Sequence, residues 1–145
     1  MPTTTANITI SSDIMSYPIS ISKSMVLKKF QSGDAIEETS GLRVRKFNST
    51  TATEIVDHTD FPDDKAHKLY IRNTGSSKAQ SFIISYHASA AGATTAATIG
   101  RLYGGDWMLM PYDGNVNITV ASNTASETQY LEYMVFADGI IEAKG

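Results

Sequence analysis

Gln129-Tyr130-Leu131-Glu132-Tyr133-Met134-Val135-Phe136-Ala137 is the stretch on which the fold turns. Its side chains alternate about a period of two. Tyr130, Glu132, Met134 and Phe136 point one way, and Leu131, Tyr133, Val135 and Ala137 the other. Both faces are largely apolar. A strand with two apolar faces belongs in the middle of a layered structure or at a subunit interface. The same period recurs upstream. Val116, Ile118 and Val120 alternate with Asn115, Asn117 and Thr119, and Lys68-Leu69-Tyr70-Ile71-Arg72 ends in the turn sequence Asn73-Thr74-Gly75-Ser76. Gln80 to His87 follows, so these two runs read as a hairpin with a loop of several residues.

The remaining strands are shorter. Ile99 to Tyr103 precedes Gly104-Gly105-Asp106. Trp107-Met108-Leu109-Met110 is an apolar run closed by Pro111 to Asn115. Gly41 to Phe47 alternates with its arginines outward, and Thr53 to Val56 is a short strand at best. Ile8 and Ile10 alternate with Asn7, Thr9 and Ser11. Ile19 and Ile21 alternate with Ser20 and Ser22 and run on to Met25-Val26-Leu27. A short helix near Asp34 to Thr39 is the weak exception. Ala88 to Ala97 is an Ala/Gly/Thr stretch with no large side chain and reads as a flexible loop. Eight or nine strands at this spacing predict an all-β chain, an antiparallel β-sandwich or jelly-roll-like domain with an extended N-terminal arm. The expected division is an arm over 1–14, the sandwich over 15–138 and a C-terminal tail over 139–145.

Composition agrees. The chain has 145 residues, 12 Lys and Arg against 15 Asp and Glu, a formal net charge of -3 and 41% hydrophobic residues. That is one domain's length, with enough apolar side chain for a core. High net charge, the mark of disorder, is missing, and no apolar run is long enough for a transmembrane helix. The mildly acidic balance argues against nucleic acid as a partner. There are 16 Ser and 16 Thr, which suit β-structure. Cysteine is absent, which removes disulfides, thiolate metal sites and Cys nucleophiles together. Met1 to Asn7 has neither a basic nor an apolar leader segment, so no signal peptide is expected. Asn7-Ile8-Thr9, Asn48-Ser49-Thr50 and Asn117-Ile118-Thr119 match the glycosylation pattern but read as strand-edge sequence.

The densest polar cluster lies between positions 57 and 67. Asp57, His58, Asp60, Asp63, Asp64 and His67 carry oxygen and nitrogen donors that suit a cation. Their spacing matches neither a helix-borne ligand pair nor an EF-hand, and a solvated acidic loop is the preferred reading. No Gly-x-Ser-x-Gly elbow or phosphate-binding loop occurs. Catalytic residues, cofactors and small-molecule ligands are therefore not expected. Basic residues gather early (Lys23, Lys28, Lys29, Arg43, Arg45, Lys46), while six acidic residues and only Lys144 follow from Asp106 onward. Solvated faces explain this most simply, with basic-to-acidic contact between copies as an alternative. Phe82, Tyr86, Tyr130 and Phe136 sit at strand positions expected in core or interface. Ile8, Ile10, Tyr103, Asp106, Trp107 and Tyr112 are the candidate partner-contact residues, with Trp107 as a loop-tip anchor.

Residues 67–137 resemble small structural proteins of tailed-bacteriophage virions, of the capsid decoration or cement type. The resemblance is carried by Lys68 to Gly75, by Gly104-Gly105-Asp106-Trp107 with Met110-Pro111-Tyr112 and Asn117 to Val120, and by Tyr130 to Phe136. It implies a virion structural protein on the capsid surface, made in the host cytoplasm. Such a protein bridges neighbouring subunits of the major capsid protein and associates with copies of itself, most often as a trimer. Alternatives are a tail, neck or fibre component, or a carbohydrate- or receptor-binding sandwich with Trp107, Tyr103 and Tyr112 as its platform. No nucleic acid and no membrane enter any of these readings. The arm over 1–14 would gain little on its own domain and is expected to add a strand to a neighbour's sheet.

Overall fold

The computed structural model describes residues 2–88 and 97–141. The expected flexible loop lies outside the described residues, apart from its end positions Ala88 and Ala97. Residues 142–145 of the expected tail lie outside them too. Eleven strands and one 3-10 turn (His58–Asp60) make up the described chain, with no α-helix. The strands are β1 (Thr5–Ser12), β2 (Ile19–Val26), β3 (Glu38–Thr39), β4 (Arg43–Phe47), β5 (Thr53–Val56), β6 (His67–Asn73), β7 (Ser81–Ala88), β8 (Ala97–Tyr103), β9 (Trp107–Tyr112), β10 (Val116–Ser122) and β11 (Gln129–Ala137). The helix considered near Asp34 to Thr39 is absent. Ile36 is buried there, and β3 takes the end of the segment.

The body is an antiparallel sandwich with jelly-roll topology. One layer runs β3/β4–β11–β6–β9 and the other β5–β10–β7–β8. β3 and β4 lie end to end along one side of β11, pairing Phe136–Ala137 and Gln129–Tyr133 respectively. From β4 onward the chain changes layer at every connection except β7 to β8, which are antiparallel neighbours. β11 is central in its layer, with one face wholly buried and the other carrying Tyr130 at 47% exposure. The expected β6–β7 hairpin does not form. β6 pairs with β11 and β9, whereas β7 pairs with β10 and β8 in the opposite layer. Alternation fixes which face of a strand is buried, and it says nothing about which strand lies beside it.

Inward residues of both layers form one core: Leu131, Tyr133 and Val135 on β11, Leu69 and Ile71 on β6, Ile118 and Val120 on β10, Phe82 and Ile84 on β7. Phe47 and Phe82 meet edge to face across the layers, with ring centroids 5.1 Å apart. Phe82 is thus core, while Tyr86 and Tyr130 are exposed and Phe136 is half-buried. At the ends of the sandwich two buried amides are paired, while Ser81 Oγ is buried without a partner among the described residues. Asn73 Nδ2 donates to Leu102 O at 2.9 Å, and Gln129 Nε2 donates to Ser122 Oγ at 2.5 Å.

Three edges of the sandwich are protected. β9 carries Pro111, which donates no ladder bond and is tolerated at an edge. β5 is only four residues long. On β4 the arginines are not outward as expected. Arg43 and Arg45 stand opposite Tyr133 and Leu131, both buried, so they share the core-side face of the layer, and Val44 takes the outer face at 61% exposure. Arg45 escapes past the edge, its guanidinium lying over the Phe47 ring and donating to Glu54 O. Inward-pointing charge at an edge discourages pairing with another chain.

The turn between β9 and β10 is held against the β5–β6 connection. Gly114 has φ +94°, and a Cβ there would stand 2.3 Å from Pro62 O. Gly33 also has positive φ but faces open space. Gly114→Ala should therefore cost about 2–4 kcal/mol, combining left-handed backbone strain with overpacking, and Gly33→Ala only about 1–2 kcal/mol. Urea unfolding midpoints of the two variants check this. Equal losses would mean that the Pro62 contact yields.

Candidate functional site

Residues 5–26 stand apart from the sandwich. β1 and β2 pair only with each other, from Thr5↔Val26 to Ser12↔Ile19. The N-terminal arm is thus one strand of a hairpin within its own chain, and the expected boundary between 14 and 15 falls in the hairpin's tip. Its partner there is β2, which shares its period. At the root, Leu27 N donates to Thr4 O and Ile36 N to Leu27 O, both at 2.9 Å. Leu27 and Ile36 are buried outside the main core cluster.

A lock at the root ties this segment to the body. Asp138 Oδ2 accepts from Phe30 N at 2.7 Å and from Ala66 N at 3.1 Å. Asp138 N in turn donates to His67 Nδ1 at 2.9 Å. Nδ1 is therefore the acceptor nitrogen, and Nε2 carries the proton that it donates to Pro62 O at 3.0 Å. His67 is fully buried, and its ring packs on Phe61 and Tyr112. Neither of its nitrogens is available to ligate a cation or to pass a proton to a substrate.

The rest of the 57–67 cluster disperses. Asp57 caps the 3-10 turn, and hydrogen bonds from Thr59 N and Thr59 Oγ1 hold its carboxyl below the usual range. His58 N donates to Asn117 Oδ1. Asp64 accepts from Asn115 Nδ2 at 2.8 Å, while Asp60 and Asp63 are exposed. Among the described residues no three His, Asp or Glu groups are placed to share a metal ion.

The candidate contact residues divide. Ile8 and Trp107 come together in a trench of ≈ 480 Å³ between the hairpin and the start of β9, lined also by Ala6, Met25, Met108 and Leu109. Ile10 lies further along the same hairpin face. Trp107 is 54% exposed. Tyr103 and Asp106 are outside the trench lining. Asp106 closes its own turn, accepting from Tyr103 N at 2.9 Å. Tyr112 is not a surface contact: it is 3% exposed, and its hydroxyl donates to Val116 O at 2.7 Å. Its position on an inward face of β9 was hidden by the Pro-Tyr-Asp-Gly sequence, which resembles a turn. A second apolar groove of ≈ 430 Å³ opens between β8 and β9, with Ile99, Met110 and Tyr86 in its walls and Lys65 and Lys68 at its rim.

No protein-family model matches the chain. No curated protein matches it either. Among solved structures it is similar to one described as the crystal structure of Drosophila melanogaster CENP-C bound to CAL1, at 12% identity and a TM-score of 0.39, over 86% of this chain and 74% of that one. At that score the likeness decides neither fold nor function.

Two expectations follow from the lock and from Tyr112. Asp138→Asn puts an N–H donor or a weaker carbonyl against two backbone donors and should cost about 1.5–3 kcal/mol. Amide exchange over 5–36 should accelerate more than exchange in β11, and uniform acceleration would place the loss elsewhere. For Tyr112, burial pushes the phenol well above its usual range, and the nearby carboxylates of Asp113, Asp57, Asp60 and Asp63 push it the same way. A folded value above the unfolded one makes stability complete below about pH 10 and lost as pH rises past it. The native protein should therefore lose more stability between about pH 8 and about pH 11 than Tyr112→Phe does, measured by urea unfolding at each pH.

Proposed function

We propose that the chain is a structural protein of a bacteriophage virion, a capsid decoration protein that bridges neighbouring subunits of the major capsid protein. The observation that carries the reading is the distribution of apolar surface. The sandwich pairs the buried Asn73 and Gln129 amides, and large apolar side chains stand exposed in two places: the hairpin with its tip and the adjoining Trp107, and Leu42 with Val44 beside β11. A lattice binder works in this way, since each patch is too small for tight binding alone and simultaneous engagement multiplies their effect. The pattern of turns and strands over 67–137 supports the same reading.

Bridging needs a stiff body with adhesive points on it. The jelly roll supplies stiffness through one continuous core, and the protection of three of its four edges limits joining by sheet extension. Contact is then made by side chains at the exposed patches, with Trp107 as the large rigid anchor. No reacting group takes part. The chain acts by area buried on the outside of the shell.

A tail, neck or fibre component would use the same surfaces at low copy number. The carbohydrate platform has less support, because Tyr112 is buried away from Trp107's exposed surface.

Purified chain added to undecorated shells of the phage that encodes it should bind saturably at hundreds of copies per particle. Trp107→Ala should weaken that binding by about tenfold or more, the effect of an anchor worth above 1 kcal/mol. Quantitative protein analysis of purified virions gives the native count. A handful of copies per virion, or no binding to shells, would overturn the decoration reading.

A further inference from the structure

The His67–Asp138 contact is built on an imidazole that lacks its second proton. Nδ1 accepts from Asp138 N at 2.9 Å, and Nε2 donates to Pro62 O at 3.0 Å. Both nitrogens are thus spent on backbone groups. The ring is fully buried, with Phe61 and Tyr112 packed against it. A proton added at Nδ1 sets one N–H against the N–H of Asp138, two donors at hydrogen-bond distance with no acceptor between them. Turning the ring over gives no relief, because it surrenders the bond to Pro62 O as well.

We propose that protonation of His67 unlatches the root of the β1–β2 hairpin, so that the contact works as an acid-sensitive switch. The coupling runs through one residue. Asp138 supplies the N–H that His67 accepts, and its Oδ2 accepts from Phe30 N at 2.7 Å and Ala66 N at 3.1 Å. Asp138 N escapes an imidazolium only by a shift of the backbone, and the carboxylate moves with it. Gly139, the next residue, has φ +98° and no side chain to resist that shift. Among the described residues, the Phe30 bond is the one hydrogen bond that joins residues 2–36 to the sandwich. Its loss leaves the root held by the burial of Leu27 and Ile36 alone. Several charged or titratable groups face the ring. Asp138 is on its Nδ1 side, and Tyr112 packs on it with Asp57, Asp60, Asp63 and Asp113 acting on the phenol. Lys65 and Lys68 flank it in sequence, with Lys68 Nζ turned to Ala66 O, and Glu38 stands opposite Ala137 on β3. Imidazole is the side chain that ordinarily gains its proton between about pH 8 and about pH 5. The open root leaves His67 free to take that proton and the closed root does not, so closure is complete above this range and weakens as pH falls through it. The inference does not rest on the virion reading, since it follows from the hydrogen bonds of the root.

Hydrogen exchange on the full chain tests this, with rates corrected for the intrinsic effect of pH. Between about pH 7.5 and about pH 5.5 the protection of residues 27–36 should fall by about three- to tenfold, the range open to one proton taken up near an ordinary imidazole value. Protection in β7 and β10 should stay within about twofold. His67→Asn keeps a carbonyl oxygen facing Asp138 N and does not titrate, so its root protection should no longer respond to pH. His87→Asn, which leaves the root untouched, should respond as the native chain does. Nitrogen NMR of the native imidazoles keeps the proposal testable should His67→Asn fail to fold. His67 Nδ1 should show the shift of an unprotonated nitrogen at pH 7.5, and its protonation should coincide with movement of the Phe30 and Asp138 amide signals. Root protection that is independent of pH in the native chain, or an equal fall in His67→Asn, overturns the proposal. Protonation of His67 with the Phe30 amide unmoved overturns it equally.

Discussion

The arrangement of this molecule depends on a small buried circuit: Pro62 O, the His67 ring, the Asp138 backbone and the Asp138 carboxylate. Four hydrogen bonds join three stretches distant in sequence, those near Phe30, Pro62 to His67, and Asp138. Burying a carboxylate costs several kcal/mol unless its oxygens are well supplied with donors. Here two backbone N–H groups converge on one oxygen, and a charge-assisted bond is about twice as strong as a neutral one. The imidazole spends both nitrogens on backbone groups, so removing it leaves one donor and one acceptor unpaired in the core. Ile141 N adds a further tie to Asp60 O at 2.9 Å. The circuit holds the end of β11 against the start of β6, and through Phe30 it fixes the root from which the hairpin departs.

Sheet layout explains why the hairpin is left to make contact. In a jelly roll each layer has two edges, and an edge is a row of unpaired backbone groups. Proline on β9, brevity on β5 and inward arginines on β4 each block extension at low cost to the core. Arg45 shows how one residue serves both needs. Its guanidinium lies over the Phe47 ring, while its charge discourages the strand from accepting a neighbour. Three of the four edges are therefore closed to association, β8 being the fourth, and exposed apolar side chains are the other available means.

The sequence made the strands of this body legible and left their neighbours hidden. Period-two alternation marked β11, β6 and β10 because each has one face wholly in the core. It could not reveal that β6 and β7 lie in opposite layers, since a strand looks the same from either side of a sandwich. Arg43 and Arg45 misled for a related reason: charge usually marks the solvent face, and at an edge a long side chain can leave the inner face sideways. Tyr112 was obscured by the glycine and proline around it. The His67–Asp138 circuit had no local signal at all, because its partners are 71 residues apart. At the candidate site, Ile8, Ile10 and Trp107 were visible as apolar residues out of place. Ile21 and Met25 became their companions only through the β1–β2 register.

That register changes the meaning of the low charge content. Two serine-rich strands with isoleucines at alternate positions would be unremarkable as a surface hairpin lying on a sheet. Here the hairpin pairs with no strand of either layer, and its apolar side is open. The segment 27–36 comes down onto the body, through Asp138 and the burial of Leu27 and Ile36. The chain therefore anchors the root firmly while leaving the face uncovered, and a rigid root with an open face is the geometry of a surface presented to another molecule. Preorganisation of that kind lowers the ordering cost paid on contact, because the eight-residue strands are already in register before a partner arrives.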